Sequence, residues 1–235
     1  MDFSPLWEGV WGALMLRAMG MTLLVACLAF LFGQAVGLGL TLAQLSGARV
    51  LARPAQVYGT IVRGVPELLI IYLIFFGGSN TLGWFAAWFG HRGYIEISPM
   101  ATGVVAIGMI CGAYSSEVLR GAIAAVPRGQ VEAATAFGMS RFKRARRITG
   151  PLALRYALPG LGNIWLTTIK ETSLISVVGL VEIMRQAGIA GASTRQPFTY
   201  YVVAAAIYLL LTGGSVLALG RVERLFGRGT VARRA

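Results

Sequence analysis

The sequence predicts an all-α integral membrane protein with about five transmembrane helices. Of the 235 residues, 56% are hydrophobic and only 13% are charged, which is about half the charged share of a soluble domain. The mean hydropathy is +0.70. Five apolar runs are each long enough to cross about 30 Å of hydrocarbon at 1.5 Å per residue. These runs fall at residues 19–45, 55–76, 100–126, 158–181 and 200–219.

The distribution of cations predicts how the chain is oriented. If the N-terminus lies outside, thirteen Lys and Arg residues fall in the cytoplasmic segments 43–54, 127–147 and 220–235, and four fall in the outside connections. Cytoplasmic loops carry an excess of Lys and Arg, so we expect the N-terminus outside and the C-terminus in the cytoplasm. The formal net charge of +12 is therefore attributed to topology and to contact with membrane lipid. Nucleic acid is not an expected partner.

The same pattern predicts one transmembrane domain at residues 19–220. It follows an extracytoplasmic N-terminal segment at 1–18, contains a cytoplasmic loop at 128–147, and precedes a basic cytoplasmic tail at 221–235. Several glycines lie inside the first and third apolar runs. Small residues allow close helix approach in membranes, which favours a compact bundle. These glycines are Gly33, Gly37, Gly39, Gly103, Gly108 and Gly112.

The cytoplasmic loop contains the most informative segment, 132–151, which reads EAATAFGMSRFKRARRITGP. A helix-forming run contains Glu132, Ala133 and Ala134, and Gly138 is suited to a turn. Five cations at 141–147 precede Ile148 and Pro151, where the next apolar run begins. A basic loop that only marks the cytoplasmic side would explain the cations. It would not explain the spacing of the Glu-Ala-Ala, Gly, Ile and Pro residues.

That spacing resembles the cytoplasmic loop of bacterial ABC importer permeases, in which the loop is a coupling helix that fits a groove on the ATPase subunit. Segments 58–69, 112–138 and 156–174 look like the polar amino acid branch of this family. The run RYALPGLGN at 155–163 is similar to permeases for histidine, lysine, arginine and ornithine, or for opines. One departure is Gly150, where the family usually has leucine before the proline. We expect this glycine to loosen the return of the chain into the membrane.

The resemblance implies the type I importer transmembrane fold with a cytoplasmic coupling helix. It implies ATPase coupling through Glu132, Ala133, Ala134, Gly138, Ile148 and Pro151. It also implies a second homologous permease subunit, more often as a heterodimer than a homodimer, two copies of an ATP-binding subunit, and a periplasmic amino acid-binding protein. No cofactor is expected on this chain, because ATP and Mg would be bound by the partner ATPase. The expected location is the bacterial inner membrane.

Missing motifs limit the chemistry of the chain itself. The sequence has no G-x-x-x-x-G-K-[ST], H-E-x-x-H or G-x-S-x-G pattern, so we expect no catalytic residue and no metal site. The predicted function is a non-catalytic permease subunit that imports polar, basic amino acids. An ion-coupled secondary transporter or channel is the alternative, since carboxylates within the membrane can relay protons. The small bundle, the lack of an internal repeat and the coupling loop argue against it.

Seven polar residues in or beside the apolar runs are candidates for the substrate path. A charge at the centre of a bilayer costs roughly 2.5–3.5 kcal/mol, so each should face a cavity or a partner. Arg63 and Glu67 would share a face at i, i+4, although Pro66 between them would distort the helix locally. Glu117 and Arg120 would share a face at i, i+3. Either these are private ion pairs, or Glu67 or Glu117 holds a substrate ammonium. The seven are Arg63, Glu67, Glu117, Arg120, Asn163, Lys170 and Glu171.

The fourth apolar run contains residues that disfavour a continuous helix. Pro159 lies beside Gly160 and Gly162, and these residues predict a break or kink near Asn163. Lys170 and Glu171 follow in a polar patch further along the same run. Either these two residues line the substrate path, or they form hydrogen bonds between helices.

Overall fold

The computed structural model describes residues 10–88 and 98–226, and all regular secondary structure in these residues is helical. Besides the α-helices, these residues form a π-helix (Ala145–Thr149) and a 3-10 helix (Thr172–Val178). The predicted all-α class is confirmed. The α-helices are α1 (Trp11–Leu45), α2 (Arg49–Gly64), α3 (Glu67–Trp88), α4 (Pro99–Ala124), α5 (Arg128–Ala136), α6 (Arg141–Arg144), α7 (Gly150–Glu171), α8 (Ile183–Thr194) and α9 (Pro197–Phe226).

Four helical segments among the described residues are long and apolar enough to cross a membrane: α1, Glu67–Phe85 of α3, α4 and α9. The helical run Arg141–Val178 and α8 together form a bent pair that meets at 51° and would be a fifth span. This agrees with the expected number of about five. Helix α1 includes residues 11–18, and α9 continues through residues 221–226, so neither span stops at the edge of the predicted domain.

The centre of the bundle is the contact between α1 and α4. A Cβ atom added to Gly33 would lie 2.6 Å from Cys111 Sγ, and one added to Gly112 would lie 2.7 Å from Val36 Cγ1. Beside this contact, Gln34 Nε2 donates to Ser115 Oγ at 2.9 Å. The expected close approach through small residues is confirmed here. It does not extend to Gly39, which has no atom within 4 Å of its Cβ position.

The second predicted span, at 55–76, is wrong as a single helix. Helix α2 ends at Gly64, and Val65 is extended with φ −98° and ψ 138°. Pro66 follows, and α3 begins at Glu67. A residue before proline is driven out of the helical region because the proline ring crowds its backbone. Arg63 and Glu67 therefore lie on different helices, and the predicted i, i+4 pair is also wrong.

The fourth predicted span, at 158–181, also differs from the structure. Helix α7 begins eight residues earlier, at Gly150, and continues through Pro159 without interruption. The helical path changes later, where the 3-10 helix ends at Gly179. Gly179 has φ +100°, a left-handed conformation that a side chain would disfavour. The break near Pro159 is therefore wrong, and the elbow before α8 takes its place.

Candidate coupling loop and substrate cavity

The candidate coupling loop consists of a short helix and a glycine-dependent turn. Helix α5 ends in a Schellman motif, in which Gly138 N–H donates to Thr135 O at 2.9 Å and Met139 N–H donates to Ala134 O at 3.0 Å. Gly138 has φ +71°, as this motif requires at its first residue after the cap. The turn expected at Gly138 is confirmed. Glu132 and Ala133 are exposed, whereas Ala134 is buried.

The second half of the loop, which leads the chain back into the bundle, is helical throughout. Arg144 Nη1 donates to Thr135 Oγ1 at 2.6 Å, which ties α6 to α5. Ile148 lies half-buried in the π-helix, and Pro151 lies exposed in the first turn of α7. Gly150 N–H donates to Ala145 O, and a Cβ at Gly150 would lie 2.8 Å from that oxygen. This glycine therefore permits the wide i→i+5 turn of the π-helix, and whether it loosens the return of the chain stays a prediction.

Three of the seven candidate path residues form one ion cluster. Arg63 Nη2 lies 3.1 Å from Glu117 Oε1, and Arg120 Nη2 lies 2.5 Å from Glu117 Oε2. The side chains of Arg63 and Glu117 are each 31% exposed. The i, i+3 pair expected within α4 is confirmed. Arg63 of α2 joins it across the helix interface, so both oxygens of Glu117 accept from arginines.

Three other candidates come together around a cavity of about 310 Å³ between α3, α4 and α7. Glu67 stands at the start of α3, and Asn163 and Glu171 lie on α7. Glu171 is only 6% exposed. The remaining lining residues are Cys111, Tyr114, Ile164, Thr167 and Thr168. Two glutamates, an asparagine and two threonines therefore line one partly open cavity, most of whose surface is apolar.

Lys170 does not share this space, although it is the neighbour of Glu171. Successive residues of a helix point about 100° apart, and Lys170 lines a second cavity of about 310 Å³. That cavity is formed with Ser173, Met184, Tyr201 and Tyr208, among others. The structure thus separates the seven predicted residues into an ion cluster, a carboxylate cavity and the isolated Lys170.

Glu182 is a buried polar residue that the sequence did not single out. It is 0% exposed, yet its carboxyl group accepts from the N–H groups of Met184 at 2.9 Å and Arg185 at 2.8 Å. Tyr208 Oη also donates to it, at 2.8 Å. Glu182 therefore caps α8 and holds the elbow against α9. The only sequence signal is an acid directly before a helical run, which many surface helices share.

A bundle of apolar helices around a cavity lined by two glutamates indicates a multi-pass membrane transport protein. Residues 35–224 match the family described as the binding-protein-dependent transport system inner membrane component, and the chain belongs to this family. It is therefore a membrane-spanning permease component of such a system, located in an inner membrane. The predicted resemblance to ABC importer permeases is confirmed.

Relatives and solved structures agree with this assignment. OccQ, an octopine transport system permease of Rhizobium meliloti, is 49% identical over 230 residues, covering 97% of this chain and 95% of the relative. HisQ, a histidine/lysine/arginine/ornithine transport system permease of Escherichia coli (strain K12), is 42% identical over 186 residues, covering 79% of this chain and 81% of the relative. The crystal structure of an amino acid ABC transporter with histidines matches with a TM-score of 0.83 and 31% identity, covering 95% of this chain and 98% of that chain.

Proposed function

We propose that this chain forms half of the translocation pathway of an ATP-driven importer of basic amino acids or related opines. The carboxylate cavity is the observation that carries the proposal, because Glu67 and Glu171 line one partly open cavity. A guanidinium or ammonium group would supply donors to both carboxylates in charge-assisted hydrogen bonds. Asn163 and the threonine hydroxyls add neutral partners. The volume, about 310 Å³, is at the small end of ligand sites and suits one amino acid.

The other charged candidates have different roles in this proposal. Glu117 already accepts from Arg63 and Arg120, so it ties α2 to α4 and is not free for a substrate. Lys170 faces the second cavity. The substrate class is supported by relatives named for octopine and for histidine, lysine, arginine and ornithine. Lysine, arginine and ornithine carry cationic side chains, which is the chemistry that paired carboxylates favour.

The proposed assembly follows from the loop and the size of the bundle. About five spans make half of a pathway wall, so a second homologous permease, as a heterodimer, completes it. Helix α5 presents the exposed residues Glu132 and Ala133 to a groove on one ATPase copy, and the partner permease docks the second copy in the same way. ATP and Mg are bound by these two copies. A periplasmic binding protein delivers the substrate to the opposite side. The cation distribution supports an N-terminus outside and a C-terminus in the cytoplasm.

The test uses the complete transporter in proteoliposomes, with uptake of arginine and glutamine measured in parallel. Glu67→Gln and Glu171→Gln should each lower arginine uptake about 10- to 100-fold at low substrate, since a hydrogen bond to a charged group contributes roughly 1.5–3 kcal/mol. Glutamine uptake should change much less. Glu223→Gln, on an exposed position of α9, is the matched control and should leave both rates unchanged.

Two outcomes would contradict the proposal. If both cavity variants lower arginine and glutamine uptake equally, the cavity is a structural element without a role in substrate charge selection. If the permease pair takes up arginine on a proton gradient without any ATPase, the ion-coupled alternative replaces the ATP-driven one.

A further inference from the structure

A basic concavity of about 370 Å³ opens beside the entry of α7 into the bundle. It is lined by Phe142 and Lys143 of α6 and by Arg146 and Arg147 of the π-helix. Phe142 is 73% exposed. We refer to these four residues as the entry site. Three positive charges and an exposed aromatic ring thus surround one pocket.

The cations of the entry site have no partner in the described part of the chain. Lys143, Arg146 and Arg147 make no side-chain hydrogen bond and no ion pair there, whereas the neighbouring Arg144 donates to Thr135. The sequence contains no Asp or Glu between Glu132 and Glu171. Repulsion among three clustered cations is unfavourable unless an anion is close. Within residues 10–88 and 98–226 no carboxylate supplies the balancing negative charge, which favours an anion from another molecule.

The location of the entry site indicates which anion that is. The site occupies the first two turns of the helical run Arg141–Val178, which with α8 forms the bent candidate span. Arg147 lies three residues before α7, and the exposed apolar residue Leu154 follows within two turns. Cations at the end of a spanning helix lie at the depth of the lipid headgroups. An exposed phenylalanine such as Phe142 beside cations is also typical of helices that lie at the membrane interface, with the ring at the boundary between headgroups and acyl chains.

We propose that Phe142, Lys143, Arg146 and Arg147 bind the phosphodiester headgroup of an anionic phospholipid. The planar guanidinium groups of Arg146 and Arg147 match phosphate oxygens in a bidentate manner, and Lys143 adds a point charge. The Phe142 ring packs against the glycerol and upper acyl region. The π-helix places both arginines, and Gly150 is required there because a Cβ would lie 2.8 Å from Ala145 O. The site requires that α7 enters the membrane, and it does not depend on the identity of the substrate.

The test compares two charge-matched double variants of the assembled transporter in nanodiscs. One is Arg146→Gln/Arg147→Gln. The control is Arg221→Gln/Arg224→Gln, since these arginines of α9 donate to backbone oxygens of their own helix. The nanodiscs contain phosphatidylcholine with a minor fraction of phosphatidylglycerol. Lipid retained after mild extraction is counted by native mass spectrometry, and the amount of bound ATPase is measured in the same samples.

The wild type should retain phosphatidylglycerol in preference to phosphatidylcholine. A cation near an anionic surface contributes about fivefold in affinity, so the entry-site variant should lose roughly 25-fold. The control should stay within a few-fold of the wild type, and both variants should keep the ATPase. At matched ionic strength, inorganic phosphate and chloride should weaken retention equally, because both then only screen charge and the site recognises a headgroup at the membrane surface.

Three results would overturn the proposal. Equal lipid loss in both variants would show only diffuse attraction of the basic surface. Loss of the ATPase from the entry-site variant, with lipid retention unchanged, would make the cluster a protein contact. Displacement by inorganic phosphate but not by chloride would indicate a site for a soluble anion.

Discussion

Adding one methyl group at Gly33 tests the central helix contact of the protein. In Gly33→Ala, the new Cβ would lie 2.6 Å from Cys111 Sγ, 2.7 Å from Cys111 Cβ and 2.9 Å from Gly108 O. The side chain of Cys111 is buried, and a backbone oxygen cannot rotate away. Helices α1 and α4 must therefore separate by several tenths of an ångström. Gly39→Ala is the matched control, because it lies on the same helix with no atom within 4 Å.

The expected magnitude comes from two opposing effects. Overpacking a tight interface costs typically about 1–3 kcal/mol, whereas replacing a helical glycine by alanine gains up to about 1 kcal/mol. The second effect applies to both variants, so the difference between them isolates the packing term. We expect Gly33→Ala to have a free energy of unfolding about 1–3 kcal/mol lower than that of Gly39→Ala.

The assay is equilibrium unfolding of the purified permease in mixed detergent micelles, followed by tryptophan fluorescence. Uptake by the reconstituted transporter is measured alongside, because a shifted α4 also moves Cys111 and Tyr114 of the carboxylate cavity. Gly20→Ala, also in α1 and also open, serves as a second control. Equal stability of the Gly33 and Gly39 variants would refute the close approach of α1 and α4.

Three further predictions concern single positions. Gly138→Val places a β-branched residue at φ +71°, which costs on the order of 1–2 kcal/mol; uptake should fall sharply while the chain still inserts, and normal uptake would argue against coupling through this turn. Glu182→Ala leaves the N–H groups of Met184 and Arg185 without their side-chain acceptor, at about 1–3 kcal/mol each. Its thermal midpoint should therefore fall further than that of Tyr208→Phe, and equal shifts would contradict the capping role. Glu117→Gln leaves Arg63 and Arg120 facing each other without a carboxylate between them. It should therefore lower the thermal midpoint of the protein more than Arg63→Gln does. The opposite order in thermal melts would show that the ion cluster does not act as described.

Local features of the molecule could be predicted well from the sequence. The length and hydropathy of the apolar runs are sufficient for a membrane class, because the cost of exposing polar backbone to lipid leaves helices as the spanning element. The Gly138 turn and the pair of Glu117 and Arg120 were also predictable, since each depends on residues within one or two turns of helix. The spacing of the coupling loop was sufficient to identify the family.

Two predicted helix boundaries, at Pro66 and at Pro159, differ from the structure for different reasons. Pro66 indicates a local distortion, but the apolar pattern of 55–76 runs through it without a gap, so the pattern does not show that the helix ends at Gly64. At Pro159 a break was expected, but α7 continues through it. A proline within a packed helix removes only one hydrogen-bond donor. The same residue type thus had opposite outcomes, and packing of the surrounding helices decided between them.

The sequence by itself determined the helical class, the number of spans, the family and the turn of the coupling loop. Only the tertiary structure decided that Glu67 and Glu171 share one cavity, that Arg63 pairs with Glu117, and that Lys170 faces elsewhere. The reason is that helical periodicity specifies the face of a residue on its own helix. Which neighbouring helix meets that face depends on how the helices pack. In this protein the packing is set by the glycine contact between α1 and α4.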